Sequence, residues 1–280
     1  MGNIIGIDIG GSTTKIVGFK DNKIFSPFLV KATDPVSSIY GAFGRFLNEN
    51  KLQLKDVERI MITGVGSTFI NERIFGIPTY KVSEFNAIGL GGLYLSGLKR
   101  AVVVSMGTGT AYVMADNDKV VHLGGTGVGG GTLLGLASLT LNIRNFNDIV
   151  ELAKEGNLRN VDLSIGDISH DEITGLPPDT TASNFGKIID RVSQADIALG
   201  IINLVFQSIG MMAVFAARNE NTSDVVLTGN LTSVPQARAV FDFLTELHKV
   251  NFHMPENAEF ATAAGAAIIG VDEEGARPIM

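Results

Sequence analysis

The sequence predicts an α/β protein built from two similar halves that face each other across a cleft. Two observations carry this. A strand, a Gly/Thr-rich turn and a further strand occur twice, with residues 7–15 and 104–111 as the matching tips. Helically spaced segments follow each copy, as a layered α/β fold requires. A third observation points to the cleft: the 33 glycines are clustered, not scattered. Clustered glycines mark tight turns or backbone that approaches a ligand closely.

The elements follow in order. Residues 3–8 are an apolar run ending in an acid, 10–13 a turn and 14–19 a β-branched apolar run, which together read as a hairpin. Residues 23–30 add a third strand. Val36, Ile39, Tyr40, Phe43, Phe46 and Leu47 have helical spacing, and Asp34-Pro35 offers a cap and a first-turn proline. A strand over 59–63, the loop Gly64-Val65-Gly66-Ser67, a short helix, a strand over 79–82 and a helix over 83–98 capped by Ser83 complete the first half. The second half restarts with strands over 101–105, 111–115 and 119–123, with a turn at Asn117. A glycine loop over 124–131 leads into a helix from 132 to 141. Residues 156–178 are polar and read as a surface insertion. Helices over 183–192 and 196–219, a strand over 224–228, the turn Gly229-Asn230, and helices over 235–249 and 259–269 follow. The expected units are 1–98 and 99–280.

Composition narrows the function. Of 280 residues, 45% are hydrophobic and 18% charged, enough apolar material for a large core. The formal charge is −7 with no basic block, which argues against a nucleic-acid partner. Cysteine is absent, so thiolate metal sites, iron–sulfur clusters and thiol nucleophiles are excluded together. His122, His170, His248 and His253 have no metal-ligand spacing. No basic-then-apolar leader is visible, so a cytoplasmic location is expected. Residues 197–217 carry no charge and could span a bilayer by length. Asn203, Gln207, Ser208 and two glycines favour instead a helix in the core or at a subunit interface.

Four turns and one acid can carry chemistry. In Asp8-Ile9-Gly10-Gly11-Ser12-Thr13-Thr14-Lys15, two glycines let amide groups point at a phosphate, hydroxyls add donors, and Lys15 adds charge. Asp8 is placed to hold a hydrated Mg²⁺. The alternative is an ordinary glycine-requiring hairpin. Met106-Gly107-Thr108-Gly109-Thr110 repeats the device, and two such tips could clamp a polyphosphate. Gly124-Gly125-Thr126-Gly127-Val128-Gly129-Gly130-Gly131-Thr132 precedes a helix, whose N-terminus offers free amides; the alternative is a hinge or tight helix packing, which a nucleotide role does not exclude. Gly229-Asn230 ends a buried strand, either bordering an adenosine or forming a common turn. Glu84, at a helix start, could accept an alcohol's proton. The local sequence alone favours the plainer role of an acid complementing the helix dipole.

The set of motifs resembles the type II pantothenate kinases of the superfamily that includes actin, hexokinase and Hsp70. The matching pieces are residues 8–15, Ser83-Glu84-Phe85-Asn86-Ala87, residues 106–110 and 124–131, Thr181-Ala182-Ser183-Asn184-Phe185-Gly186 and Gly265, in family order along nearly the whole chain. The resemblance implies duplicated ribonuclease H-like halves around a nucleotide cleft, Mg-ATP as cofactor, pantothenate as acceptor and a homodimer. It implies Glu84 as general base. Nucleotide contacts would fall on Asp8, Gly10, Gly11, Ser12, Thr13, Lys15, Thr108, Gly109, Gly130, Gly131, Thr132, Phe146 and Asn230. Two positions depart from the family. Asn86 stands where it has Asp, and His122 stands where it has an arginine that binds the pantothenate carboxylate. The acceptor therefore stays open between pantothenate, a pantetheine-like alcohol and a sugar. A non-catalytic ATP-binding regulator is the reading from another class.

Overall fold

The computed structural model describes residues 2–31, 34–116, 119–171, 173–187, 191–272 and 276–279. Its first sheet grows from β1 (Asn3–Ile9), β2 (Thr13–Lys20) and β3 (Lys23–Lys31), then α1 (Pro35–Glu49), β4 (Val57–Thr63), β5 (Thr79–Lys81) and α2 (Glu84–Ser96). The second repeats the plan with β6 (Arg100–Met106), β7 (Thr110–Asp116) and β8 (Val120–Thr126), followed by α3 (Gly130–Leu141) and α4 (Phe146–Leu152). A small excursion contains β9 (Leu163–Ser164), α5 (Ile165–Ile168) and β10 (Thr181–Ser183). Then come α6 (Gln194–Asn219), β11 (Asp224–Thr228), α7 (Pro235–His248), β12 (Asn251–His253), α8 (Ala261–Asp272) and β13 (Arg277–Ile279).

The duplication is explicit in strand order. The first sheet runs β13-β5-β4-β1-β2-β3 and the second β12-β11-β6-β7-β8. In both, the first three strands are antiparallel and the next two parallel. In both, the fourth strand ends in a buried threonine and a glycine in the left-handed region, Thr63-Gly64 (φ 83°) and Thr228-Gly229 (φ 91°), before a short 3-10 turn. A side chain at either glycine would be strained.

Local chemistry explains the elements. Asp34 caps α1 by accepting from the Ser37 amide at 2.6 Å, and Pro35 opens the helix. Phe43 and Phe46 on its inner face are fully buried against Ile5, Ile7 and Ile62; each such side chain stabilises the fold by about 1.5–3 kcal/mol. The long uncharged stretch is α6. Among the described residues it is the one helix long and apolar enough to cross a membrane. Ile201, Ile202, Val205, Phe206 and Ile209 bury its inner face in the second core.

The two halves exchange helices. α2 packs on β6, β7 and β8, whereas α8 packs on β1, β2 and β4. The two helices cross at Gly91 and Gly265. A Cβ on Gly91 would lie 1.8 Å from the Ala261 carbonyl oxygen, and one on Gly265 1.9 Å from that of Ala87. Only hydrogen fits at this crossing.

Several expectations change. β8 extends to Thr126, so Gly124 and Gly125 are strand residues paired with Tyr112 and Ala111. The described part of the expected helix at 183–192 is the end of β10 and a turn; residues 188–190, like the expected turn at Asn117, lie outside the described residues. The polar insertion is tied to α6 through buried Asp162, which accepts from Asn203 Nδ2 at 2.7 Å, Asn184 Nδ2 at 3.2 Å and the Phe185 amide at 2.9 Å. β13, not anticipated, returns the C-terminal segment to the first sheet beside β5.

Candidate active site

Parallel strands bring functional groups together at their carboxyl ends. Here Asp8 is the last residue but one of β1, Thr63 ends β4 with Gly64 next, and Ser83-Glu84 follows β5. The cleft beyond these ends has a volume of about 580 Å³. It is lined by Asp8, Gly10, Gly11, Ser12, Thr13, Lys15 and Glu84 from the first half. From the second come Gly107, Thr108, Gly109, Gly127, Gly229 and Asn230. The two glycine tips, the acid and the strand-end turn thus share one space.

The first tip is closed by the Gly10 amide donating to the Thr13 carbonyl at 2.9 Å, which leaves Gly11 and Ser12 exposed at its crest. Behind it, Asp8 pairs with Lys15 across β1 and β2, with Oδ2 and Nζ 3.7 Å apart and both side chains nearly buried. Burial lifts the Asp8 carboxyl above the usual carboxylate range, and the Lys15 ammonium pulls it back. Among the described residues Lys15 is the one lysine or arginine lining the cleft.

Glu84 is the first residue of α2, and Ser83 caps the helix. Its carboxyl is also raised, first by burial and then by the charge of Asp8, with Lys15 opposing. A carboxylate held this way binds a proton more strongly than an exposed one, as a general base requires. The next residue, Phe85, stacks face to face on His122 of β8, with centroids 3.8 Å apart and planes 12° apart.

The second tip is closed by the Gly107 amide donating to Gly109 at 2.9 Å. The glycine loop is docked on it. The amides of Gly130 and Gly131 donate to the carbonyls of Gly107 and Thr108, each at 2.9 Å. The Thr132 hydroxyl donates to the Gly127 carbonyl at 2.8 Å, and the Thr110 hydroxyl to that of Val128, also at 2.8 Å. The first-turn amides expected to be free are therefore engaged with the second tip, and Gly130, Gly131 and Thr132 are not among the cleft-lining residues. Phe146 packs against the second core instead of the cleft. Asn230 reaches across, its Nδ2 donating to Thr13 Oγ1 at 3.4 Å, while its Oδ1 is buried without a partner. Sequence reasoning gave no role to Val65, which also lines the cleft. The signal was the Gly64-Val65-Gly66 spacing directly after a strand.

Comparison with known proteins agrees with this geometry. The profile of the Fumble family matches residues 98–245. A type II pantothenate kinase of Bacillus thuringiensis subsp. konkukian is 30% identical over 243 residues, spanning 82% of this chain and 83% of the relative. One from Staphylococcus aureus strain MRSA252 is 29% identical over 277 residues, spanning 95% and 99%. Among solved structures, component A of the Acidaminococcus fermentans (R)-2-hydroxyglutaryl-CoA dehydratase superposes with a TM-score of 0.66 at 19% identity, covering 96% of this chain and 97% of that one. That likeness establishes the fold, the duplicated actin-like architecture. With a family profile over half its length and a relative 30% identical over 82% of it, the chain belongs to the Fumble family, that of the type II pantothenate kinases.

Proposed function

We propose that this chain transfers the γ-phosphoryl group of ATP to the primary hydroxyl of pantothenate, with Glu84 as general base. The observation that carries the reading is the single cleft shared by Glu84, the Asp8–Lys15 pair and both glycine tips. The Glu84 carboxylate takes the hydroxyl proton as the alcohol oxygen bonds to the γ-phosphorus and the bond to the β-phosphate oxygen breaks, releasing ADP. Bringing the two reactants into line supplies much of the acceleration.

The residues present fit a polyphosphate. A Cβ added at Gly11 or Gly127 would meet nothing within 4 Å, so backbone is open to close approach on both sides. Asn230 Oδ1 is a buried acceptor without a partner; it would take a hydroxyl or amino donor of the nucleoside, not a phosphate oxygen. In this reading Gly10, Gly11, Ser12, Thr13 and Lys15 face the nucleotide from one half, and Thr108, Gly109 and Asn230 from the other. Gly130, Gly131 and Thr132 act by fixing the second tip, and Phe146 has no contact with the nucleotide. Magnesium, when bound, neutralises phosphate charge, and Asp8 would hold it through water. The division at 98/99 is best amended so that α8 and β13 count with the first unit.

We also infer a cytoplasmic homodimer. Leu139 of α3 and Met212 and Phe215 of α6 are exposed apolar residues on neighbouring helices, which supports association there. His122 takes the place of a bidentate cation with a group that lacks arginine's fork. Acceptor identity is accordingly the decisive test: ADP release measured side by side with pantothenate, pantetheine and simple sugars. Pantothenate-dependent release supports the reading. Release only with a sugar, or nucleotide binding without acceptor-dependent release, rejects it.

A further inference from the structure

α2 is wedged between the halves, and two stripes of its surface face different neighbours. Ala87 and Gly91 face α8: a Cβ on Gly91 would meet the Ala261 carbonyl, and one on Gly265 the carbonyl of Ala87. Residues three and four apart share a helix face, so Glu84 heads this stripe. Gly89 and Gly92 face the second sheet, their Cβ positions 2.9 Å from Val120 Cγ1 and 2.5 Å from Val103 Cγ1. Phe85, four residues before Gly89, heads that second stripe. The acid thus starts the face toward α8, and the ring beside it starts the face toward the second sheet.

The second sheet meets this ring with His122. In β8, His122 stands opposite Val113 and Gly124 opposite Tyr112, which leaves Leu123 as the extra residue of a β-bulge. Leu123 packs on the second core, while His122 shares the face of Val113, which α2 covers. There Phe85 and His122 stack, with centroids 3.8 Å apart and planes 12° apart, and both line the cleft. Phe85 is 37% exposed and joins none of the buried clusters, so core packing does not account for the contact. The side-chain cap of the same turn is long: Ser83 Oγ accepts from the Asn86 amide at 3.5 Å, the far end of hydrogen-bond range.

We propose that Phe85 and His122 are positioning residues, whose stack clamps the first turn of α2 to β8 and so sets the reach of the Glu84 carboxylate into the cleft. This rests on the kinase reading above and adds the device that places its base. Misplacing a reacting group by ~1 Å can cost on the order of 10²-fold in rate. Stacked rings attract beyond the area they bury. His122 offers its ring face for this purpose, so another flat ring at the same position should serve.

The test uses His122→Ala, which removes the ring, His122→Phe, which keeps one, and Phe85→Leu. Pantothenate-dependent ADP release at saturating substrates gives kcat, and ATP titration gives its KM. His122→Ala and Phe85→Leu are expected to lower kcat about tenfold or more. The KM for ATP should stay within about twofold, which also verifies folding. His122→Phe should recover kcat to within about threefold of wild type. In proton NMR the His122 ring protons should lie upfield, under the Phe85 ring current, and move downfield in Phe85→Leu. The clamp would be overturned, and the kinase reading left intact, by any of three results: a kcat as low in His122→Phe as in His122→Ala, full kcat in His122→Ala, or His122 signals unmoved in Phe85→Leu. Absence of pantothenate-dependent release in the wild type would overturn both.

Discussion

The two glycine tips share a backbone plan but not a chemistry. In the first, Asp8 faces Lys15 across the hairpin; at the matching pair in the second, Ser105 faces Ala111. Both pairs sit one residue in from the tip, at the end of a strand that the other half repeats. The first half buries an ion pair there and gains an acid in Glu84, whereas the second is neutral and devotes its amides to bracing the tip. Duplication supplied two similar walls, and substitution at a few strand ends gave them different work. Desolvating even a paired charge can cost more than the pairing returns, so stability alone does not account for the buried Asp8–Lys15 pair.

That contrast can be broken experimentally. Asp8→Asn should cut turnover on the order of a hundredfold or more, the scale of losing a preorganised charge at a reacting centre. Ser105→Ala at the matching position should change it by less than about threefold, and comparable losses would show that the two tips work alike. Where the halves remain symmetric, symmetric costs are expected. Gly91→Ala and Gly265→Ala each drive a Cβ into a carbonyl of the opposite helix, and each should destabilise by ~3 kcal/mol in denaturant unfolding. Gly135→Ala, on α3 with nothing near its Cβ position, should be neutral or stabilise by up to about 1 kcal/mol. A small cost at Gly265 would contradict the tight crossing.

The pH dependence sharpens the comparison further. As the proposed general base Glu84 would work only when ionised, and burial and Asp8 raise its pKa. Activity should therefore be lost as pH falls, beginning at a higher pH than for an ordinary carboxylate. In Asp8→Asn the residual activity should keep an acid limb that moves to lower pH, because one raising charge is gone while burial, the larger cause, stays. An unmoved limb would detach Asp8 from Glu84.

Much of this was legible in the sequence because it is local. The cap at Asp34-Pro35, the strand over residues 224–228 and both glycine tips follow from short-range rules. The destination of the glycine-loop amides was not legible. Composition shows that Gly130 and Gly131 have free backbone, but whether a ligand or the Gly107 and Thr108 carbonyls take it depends on tertiary docking. Glu84 illustrates the same limit: its local sequence fits a plain first-turn acid, the motif set as a whole pointed to it as base, and its cleft shared with Asp8 and Lys15 is a tertiary fact that no local rule supplies. β13 escaped notice because three residues around Pro278, on a sheet edge, give no periodic signal.

The central claim is that Glu84 acts on the acceptor and not on the nucleotide. The direct measurement is a paired one on Glu84→Gln: ATP binding by calorimetry, and acceptor-dependent ADP release. The account predicts affinity for ATP within about threefold of wild type and release lowered by roughly 10²–10⁴. Release near the wild-type rate would contradict it.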